Sequence, residues 1–142
     1  MLYRQMRPMH PLHMSKVAVG CASIDTLRRR QAARATDGVV PVVTRFRPKR
    51  ADELIGGSLF WIVKHRITAR QTILGFDAGA DRRTLIRLSQ ELVPVRGTPK
   101  RAHQGWRYLP GEEAPPDWEG GGDGLDALPP DLAVKLAALG LI

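Results

Sequence analysis

Ser58-Leu59-Phe60-Trp61-Ile62-Val63-Lys64 is an unbroken aliphatic and aromatic run, preceded by Gly56-Gly57 and followed by His65-Arg66. Both alternation classes of the run are apolar. That pattern predicts a central strand covered on both faces, not an edge strand with one wet side. Ile67–Phe76 (ITARQTILGF) follows and predicts its neighbour in the sheet. No apolar stretch of the chain approaches the ~18 residues that a membrane-spanning helix needs.

Upstream of this pair, Val39–Arg47 (VVPVVTRFR) alternates, with Val40, Val42, Thr44 and Phe46 on one face. Pro41 has no amide proton, so this strand belongs at an edge or a strand start. Pro48–Ile55 reads as one helical turn closed by Gly56-Gly57. Earlier still, Ser23 precedes an Ile24/Leu27/Gln31 stripe with Asp25 in the first turn, which predicts an N-capped helix to about Ala35. Lys16–Cys21 reads as a short buried strand, and residues 1–13 as a flexible extension.

Downstream, Asp77–Asp81 is a turn, Thr84–Leu88 and Leu92–Arg96 are short strands, Gly97-Thr98-Pro99 is a loop, and Gln104–Leu109 is a last strand. From Pro110 the composition shifts to Gly, Pro and acidic residues, so residues 110–130 read as an acidic linker. Leu132, Leu136 and Leu139 after Pro129-Pro130 mark a C-terminal helix over 131–142. A run of strands with few crossovers points to an α+β domain over 14–109. Its mainly antiparallel, curled sheet would have five to six short strands, with one N-terminal and one C-terminal helix.

Charge is unevenly placed along this order. Residues 1–109 carry 21 Lys and Arg against 7 Asp and Glu, whereas residues 110–142 carry one Lys against 7 acidic residues. A body this basic attracts polyanions, and an acidic segment on the same chain can compete for that surface. The one cysteine, Cys21, cannot form an internal disulfide, which suits a cytoplasmic protein. Its apolar strand setting makes it packing, not a nucleophile. His10, His13, His65 and His103 do not supply a tetrahedral metal set, and no phosphate loop follows Gly56-Gly57 or Gly120-Gly121-Gly122. No cofactor or metal is expected.

The cations that flank the central strand pair are the candidates for binding. If Ser58–Lys64 and Ile67–Phe76 form a hairpin, Lys64, Arg66 and Arg70 converge at one end of the sheet. Lys49, Arg50, Lys100 and Arg101 then ring that end from loops, and Arg107 stands opposite Trp106 and Tyr108 on the last strand. Interleaved cations and rings suit single-stranded nucleic acid, with phosphates taken by charge and bases stacked on aromatic faces. Trp61, inside its apolar run, reads as core; Trp106 and Tyr108 read equally as core or as stacking platforms.

Several separate blocks carry a resemblance. They are Arg47-Pro48-Lys49-Arg50 with Asp52-Glu53-Leu54, Gly57–Lys64, Arg70-Gln71 with Ile73, Pro99-Lys100-Arg101-Ala102, and Gln104–Leu109. Together they resemble a family of short, uncharacterised proteobacterial proteins built on a domain of unknown function, over roughly Met14–Asp117. The resemblance implies no activity. The chain departs from the pattern at Lys64-His65, where Lys-Gly is expected, which puts a tight turn in doubt. A strand ending in Lys followed by Thr68-Ala69-Arg70 is also similar to the basic strand pair of RNA-binding pseudo-barrels of the PUA and ASCH kind.

The expectation is therefore a cytoplasmic, non-catalytic nucleic-acid-binding protein, RNA before DNA. Phosphate contacts fall to Lys49, Arg50, Lys64, Arg66, Arg70, Lys100, Arg101 and Arg107, and stacking to Trp106 and Tyr108. The same end with Gln71, His103 or Gln104 would equally suit a small phosphorylated or carboxylated metabolite, as ligand or as enzyme substrate. A third class is a protein adaptor that uses the Leu132/Leu136/Leu139 stripe. Trp118, within Pro115-Pro116-Asp117-Trp118-Glu119, sits among acids and reads either as solvated linker or as an internal nucleic-acid mimic.

Overall fold

The computed structural model describes residues 10–118. Along the chain it forms β1 (Leu12–Val17), α1 (Ile24–Arg34), β2 (Val39–Thr44), α2 (Ala51–Leu54), β3 (Ser58–Val63), β4 (Arg66–Ala78), β5 (Thr84–Ser89), β6 (Val93–Pro99) and β7 (Trp106–Pro110). The seven strands make one open, mixed sheet in the order β2-β5-β4-β3-β1-β7, with β6 also on β4. Only the β1–β3 pair is parallel; the other pairs are antiparallel.

Long strand β4 organises the curl. Its outer edge pairs with β6 over Arg66–Arg70 and with β5 over Ile73–Ala78. Register shifts between Ile67 and Ala69 and between Ile73 and Gly75 accompany the two pairings, and such bulges bend a strand and raise its twist. Strand β3 is buried at every position between β4 and β1, as its two-sided apolar pattern requires.

The sheet has two covered faces. On the first, Met14, Leu59, Trp61, Ile73, Ile86 and Leu88 pack with Leu27 of α1 and Leu54 of α2. The buried Gln71 carboxamide is consumed within this core. It accepts from the Trp61 indole at 2.7 Å and donates to the Ser89 carbonyl at 3.0 Å. Gln71 is therefore not a partner of any surface anion. On the second face, Phe60, Ile62, Ile67, Val95 and Leu109 gather under Ala114. Helix α1 begins as its sequence predicts, with the Ser23 hydroxyl accepting from the Thr26 amide.

Five expectations change. The sheet holds seven strands, not five to six. The first strand starts at Leu12, not Lys16, and residues 10–13 are built into the fold: a Cβ on Gly57 would overlap the Leu12 carbonyl, and one on Gly111 the His10 carbonyl. Strand β2 ends at Thr44, leaving the Phe46 ring 68% exposed. The expected loop Gly97-Thr98-Pro99 completes β6, because Thr98 and Pro99 pair with Ile67 and Arg66. Finally, Pro110–Trp118 is no solvated linker. The Arg96 amide donates to the Pro116 carbonyl, the Trp118 amide to the Pro94 carbonyl, and Ala114 is fully buried. The helix expected over 131–142 lies outside the described residues. No helix among the described residues is long and apolar enough to cross a membrane.

Candidate nucleic-acid interface

Lys64 and His65 form the whole connection between β3 and β4, since Val63 pairs directly with Arg66. Both adopt left-handed backbone conformations, with φ of 49° and 62°. A two-residue hairpin loop needs that geometry to match strand twist, and it usually recruits Asn-Gly. The tight turn thus forms without the expected glycine, at a cost of roughly 1–2 kcal/mol per L-residue in this region. The Lys100 amide helps hold it, donating to the His65 carbonyl at 2.9 Å. That bond brings the end of β6 against the β3–β4 turn. Lys64, Arg66, Lys100 and Arg101 consequently share one end of the sheet. Neither contributing stretch contains a carboxylate: none lies between Glu53 and Asp77, and none between Glu91 and Glu112.

His103 leads from this end into β7. Its Nε2 lies 3.0 Å from the hydroxyl of Ser15, which is itself fully buried on β1. Burial holds the His103 imidazole below its usual range, and the charges of Arg107, Lys100 and Lys16 push the same way against a raising contact with the Gln104 backbone. His103 is therefore a neutral imidazole within the field of three cations. Lys16, half-buried on β1, is a member of this group that sequence reading missed. Its ammonium is also lowered by burial. The periodicity would have revealed it only once β1 was known to start at Leu12.

The remaining expected residues lie elsewhere. Trp106 and Tyr108 face the first core, opposite Arg107, as their alternation implies. Their rings meet edge-to-face at 4.9 Å. The Trp106 indole donates to the Phe46 carbonyl, and the Tyr108 hydroxyl accepts from the Arg50 amide. The Arg50 guanidinium stands over the Tyr108 ring at 5.7 Å and makes two 2.7 Å bonds to the Glu53 carboxylate. Those bonds hold the Glu53 carboxyl below its ordinary range. Arg50 thus belongs with the two rings beside β7, not at the basic sheet end, and Lys49 is its exposed neighbour on the same segment. The ring edges are committed to packing and hydrogen bonds, which leaves little reason to assign them base stacking.

Arg70 also departs from the expected cluster. It lies on the second face, in register with Phe60 and Val93, several residues in from the basic end. Its Nε and Nη2 donate to the two Asp117 oxygens at 2.7 and 2.8 Å, and its Nη1 donates to the Ser58 hydroxyl at 3.0 Å. Ser58 in turn gives its amide proton to His13 Nδ1 at 2.9 Å. The His13 proton must then sit on Nε2, which is buried and finds no acceptor among the described residues. Burial, followed by the charges of His10 and Arg70, lowers the His13 pKa to about 4. Neither His13 nor Asp117 was legible as part of this chain of contacts, because one lay in an expected extension and the other in an expected linker.

Among the described residues, no three His, Cys, Asp or Glu side chains gather as metal ligands. The chemistry on offer is cationic and hydrogen-bonding: guanidinium forks and ammonium groups at one sheet end, with a neutral imidazole and a buried hydroxyl beside them. Comparison with curated proteins and with solved structures returns no match. A family model does match, over residues 14–142, and the chain belongs to that family, described as a protein of unknown function (DUF1489).

Proposed function

We propose that this protein binds nucleic acid, RNA before DNA, through the basic end of its sheet, and that it does so without catalysis. Lys64, Arg66, Lys100 and Arg101 take phosphates, flanked by Lys16 and Arg107. The observation that carries the reading is the Lys100–His65 backbone bond, which joins two carboxylate-free segments into one cationic end. Phosphate contacts dominate this interface, and base stacking by Trp106 and Tyr108 contributes little.

Polyelectrolyte binding of this kind has a definite signature. Fluorescence anisotropy with a single-stranded RNA oligomer should give a log affinity that falls linearly with log salt, by ~0.7 for each phosphate contact on single strands. The pair Lys64→Glu and Lys100→Glu should weaken low-salt binding at least tenfold. Each lost contact should reduce the salt slope by the same ~0.7. Binding that is absent at low salt, or indifferent to these charges, overturns the reading.

A second reading is favoured by one feature, the neutral His103 next to Ser15 among Lys16, Lys100 and Arg107. That arrangement also suits a single phosphate or carboxylate of a small metabolite. A mononucleotide that binds with one-to-one saturation as tightly as the oligomer would favour it over the polymer.

A further inference from the structure

We propose that Arg70 and Ser58 form a phosphate seat on the second face of the sheet, and that Asp117 of the chain's own acidic segment fills it as a stand-in. The inference rests on the nucleic-acid reading and adds to it a second contact and a device that limits it.

The seat is built, not incidental. The Arg70 side chain is only 17% exposed, and Asp117 32%. The Arg70 guanidinium points its Nε and Nη2 edge at a pair of oxygens and its remaining terminal nitrogen at the Ser58 hydroxyl. A planar fork of this kind accepts a carboxylate and a phosphate in the same two-bond geometry. Arg70 lies four residues along β4 from Arg66 at the basic end, about 13 Å at the ordinary rise of a strand. A strand of nucleic acid crossing that end can extend its phosphates towards the seat.

Asp117 is one-third exposed, and its backbone is held at few points. Pro115–Trp118 lies against β6 through one isolated antiparallel bridge between Val95 and Asp117, made by two backbone hydrogen bonds from the Arg96 and Trp118 amides. The closed arrangement also leaves donors unanswered. The Trp118 indole nitrogen and His13 Nε2 are buried without an acceptor among the described residues. Buried donors of this kind carry a desolvation penalty that a fully satisfied strap would avoid. A phosphate has more acceptor sites than the carboxylate it would replace. Asp117 therefore competes with the polymer for Arg70, and displacement of the segment is part of tight binding.

Two measurements on the full-length protein test this. In the wild type, amide hydrogen exchange at Arg96 and Trp118 should quicken when single-stranded RNA is added at low salt, because both amides bond across the seam between β6 and the displaced segment. Unchanged or slower exchange at these amides, under conditions where RNA is bound, overturns the strap. Asp117→Asn should raise RNA affinity about fivefold or more, and adding Arg70→Met to it should remove the gain. No gain in Asp117→Asn, with wild-type binding intact, leaves the basic-end reading standing and removes the seat. If the wild type binds no RNA, inorganic phosphate decides. Asp117→Asn should then gain more in melting temperature than the wild type does on moving from chloride to phosphate of equal ionic strength. An equal gain in the two proteins overturns the seat. Should Asp117→Asn fail to fold and the wild type bind no RNA, exchange at the same two wild-type amides should quicken in phosphate relative to chloride, and unchanged exchange overturns the seat.

Discussion

The two faces of the sheet are covered in different ways. The first is closed by α1 and α2 over an aliphatic core, and its internal polar side chain, Gln71, has partners for its oxygen and its nitrogen. The second is closed by a loop-like acidic segment over Phe60, Ile62 and Leu109, with a polar chain from His13 through Ser58 and Arg70 to Asp117 running alongside. One face is satisfied and repetitive. The other holds a charge pair and unanswered donors. The apolar core and the polar chain thereby lie on opposite sides of a single strand, β3, whose odd-numbered residues face the first and whose even-numbered residues face the second.

The strongest challenge to that division is Leu59→Ala, which opens a hole in the first core. It should cost ~2–5 kcal/mol, read as a lower urea midpoint with an unchanged slope, and should leave low-salt RNA affinity of the folded fraction intact. Equal loss of binding and stability would erase the distinction between the faces.

Next in size is a pH effect that belongs to the second face. His13 binds a proton near pH 6.5 when unfolded but only near pH 4 when folded. Stability from this site is therefore complete above about pH 6.5 and is lost as pH falls towards 4, by roughly 3 kcal/mol at the ordinary conversion of pKa to free energy. His103, also lowered, contributes in the same direction. Denaturant titrations between pH 7 and pH 4 should show the decline, and His13→Phe should flatten most of it. A decline that persists undiminished in His13→Phe would place the titrating group elsewhere.

The smallest expected change touches neither face. His65→Gly relieves a left-handed L-residue in the β3–β4 turn and should raise stability by ~1 kcal/mol, a few degrees in melting temperature. A lower melting temperature would mean that the imidazole makes a contact worth more than the strain.

Legibility in the sequence followed the same division. Strand β3 was readable because two-sided burial leaves a continuous apolar run, and α1 because Ser23 and Asp25 punctuate its start. Strand β1 was not, because its second-face residues, His13 and Ser15, are polar and yet fully buried. Alternation that would be amphipathic on a wet sheet here marks an interior network, and only a partner strand reveals that. The basic end was readable as far as Lys64, Arg66, Lys100 and Arg101, whose positions follow from the hairpin and its neighbour. Arg70 was misplaced because its carboxylate partner is set by a loop path, and Arg50 because the segment before α2 runs beside β7. Glu53 sits three residues from Arg50 within one short helix, but Asp117 reaches Arg70 across the fold.

The place of β1 between β3 and β7 has a kinetic corollary. Its parallel partner is separated from it by two helices and a strand, and its antiparallel partner is the last strand of the described chain. The β3–β4–β5 meander can zip from local turns, whereas the N-terminal strand must wait for distant segments to be synthesised and to close large loops around it. Until they arrive, one edge of the nascent meander stands open to any extended chain nearby, and the rate at which β1 claims that edge sets how long the newborn protein stays vulnerable to misassembly.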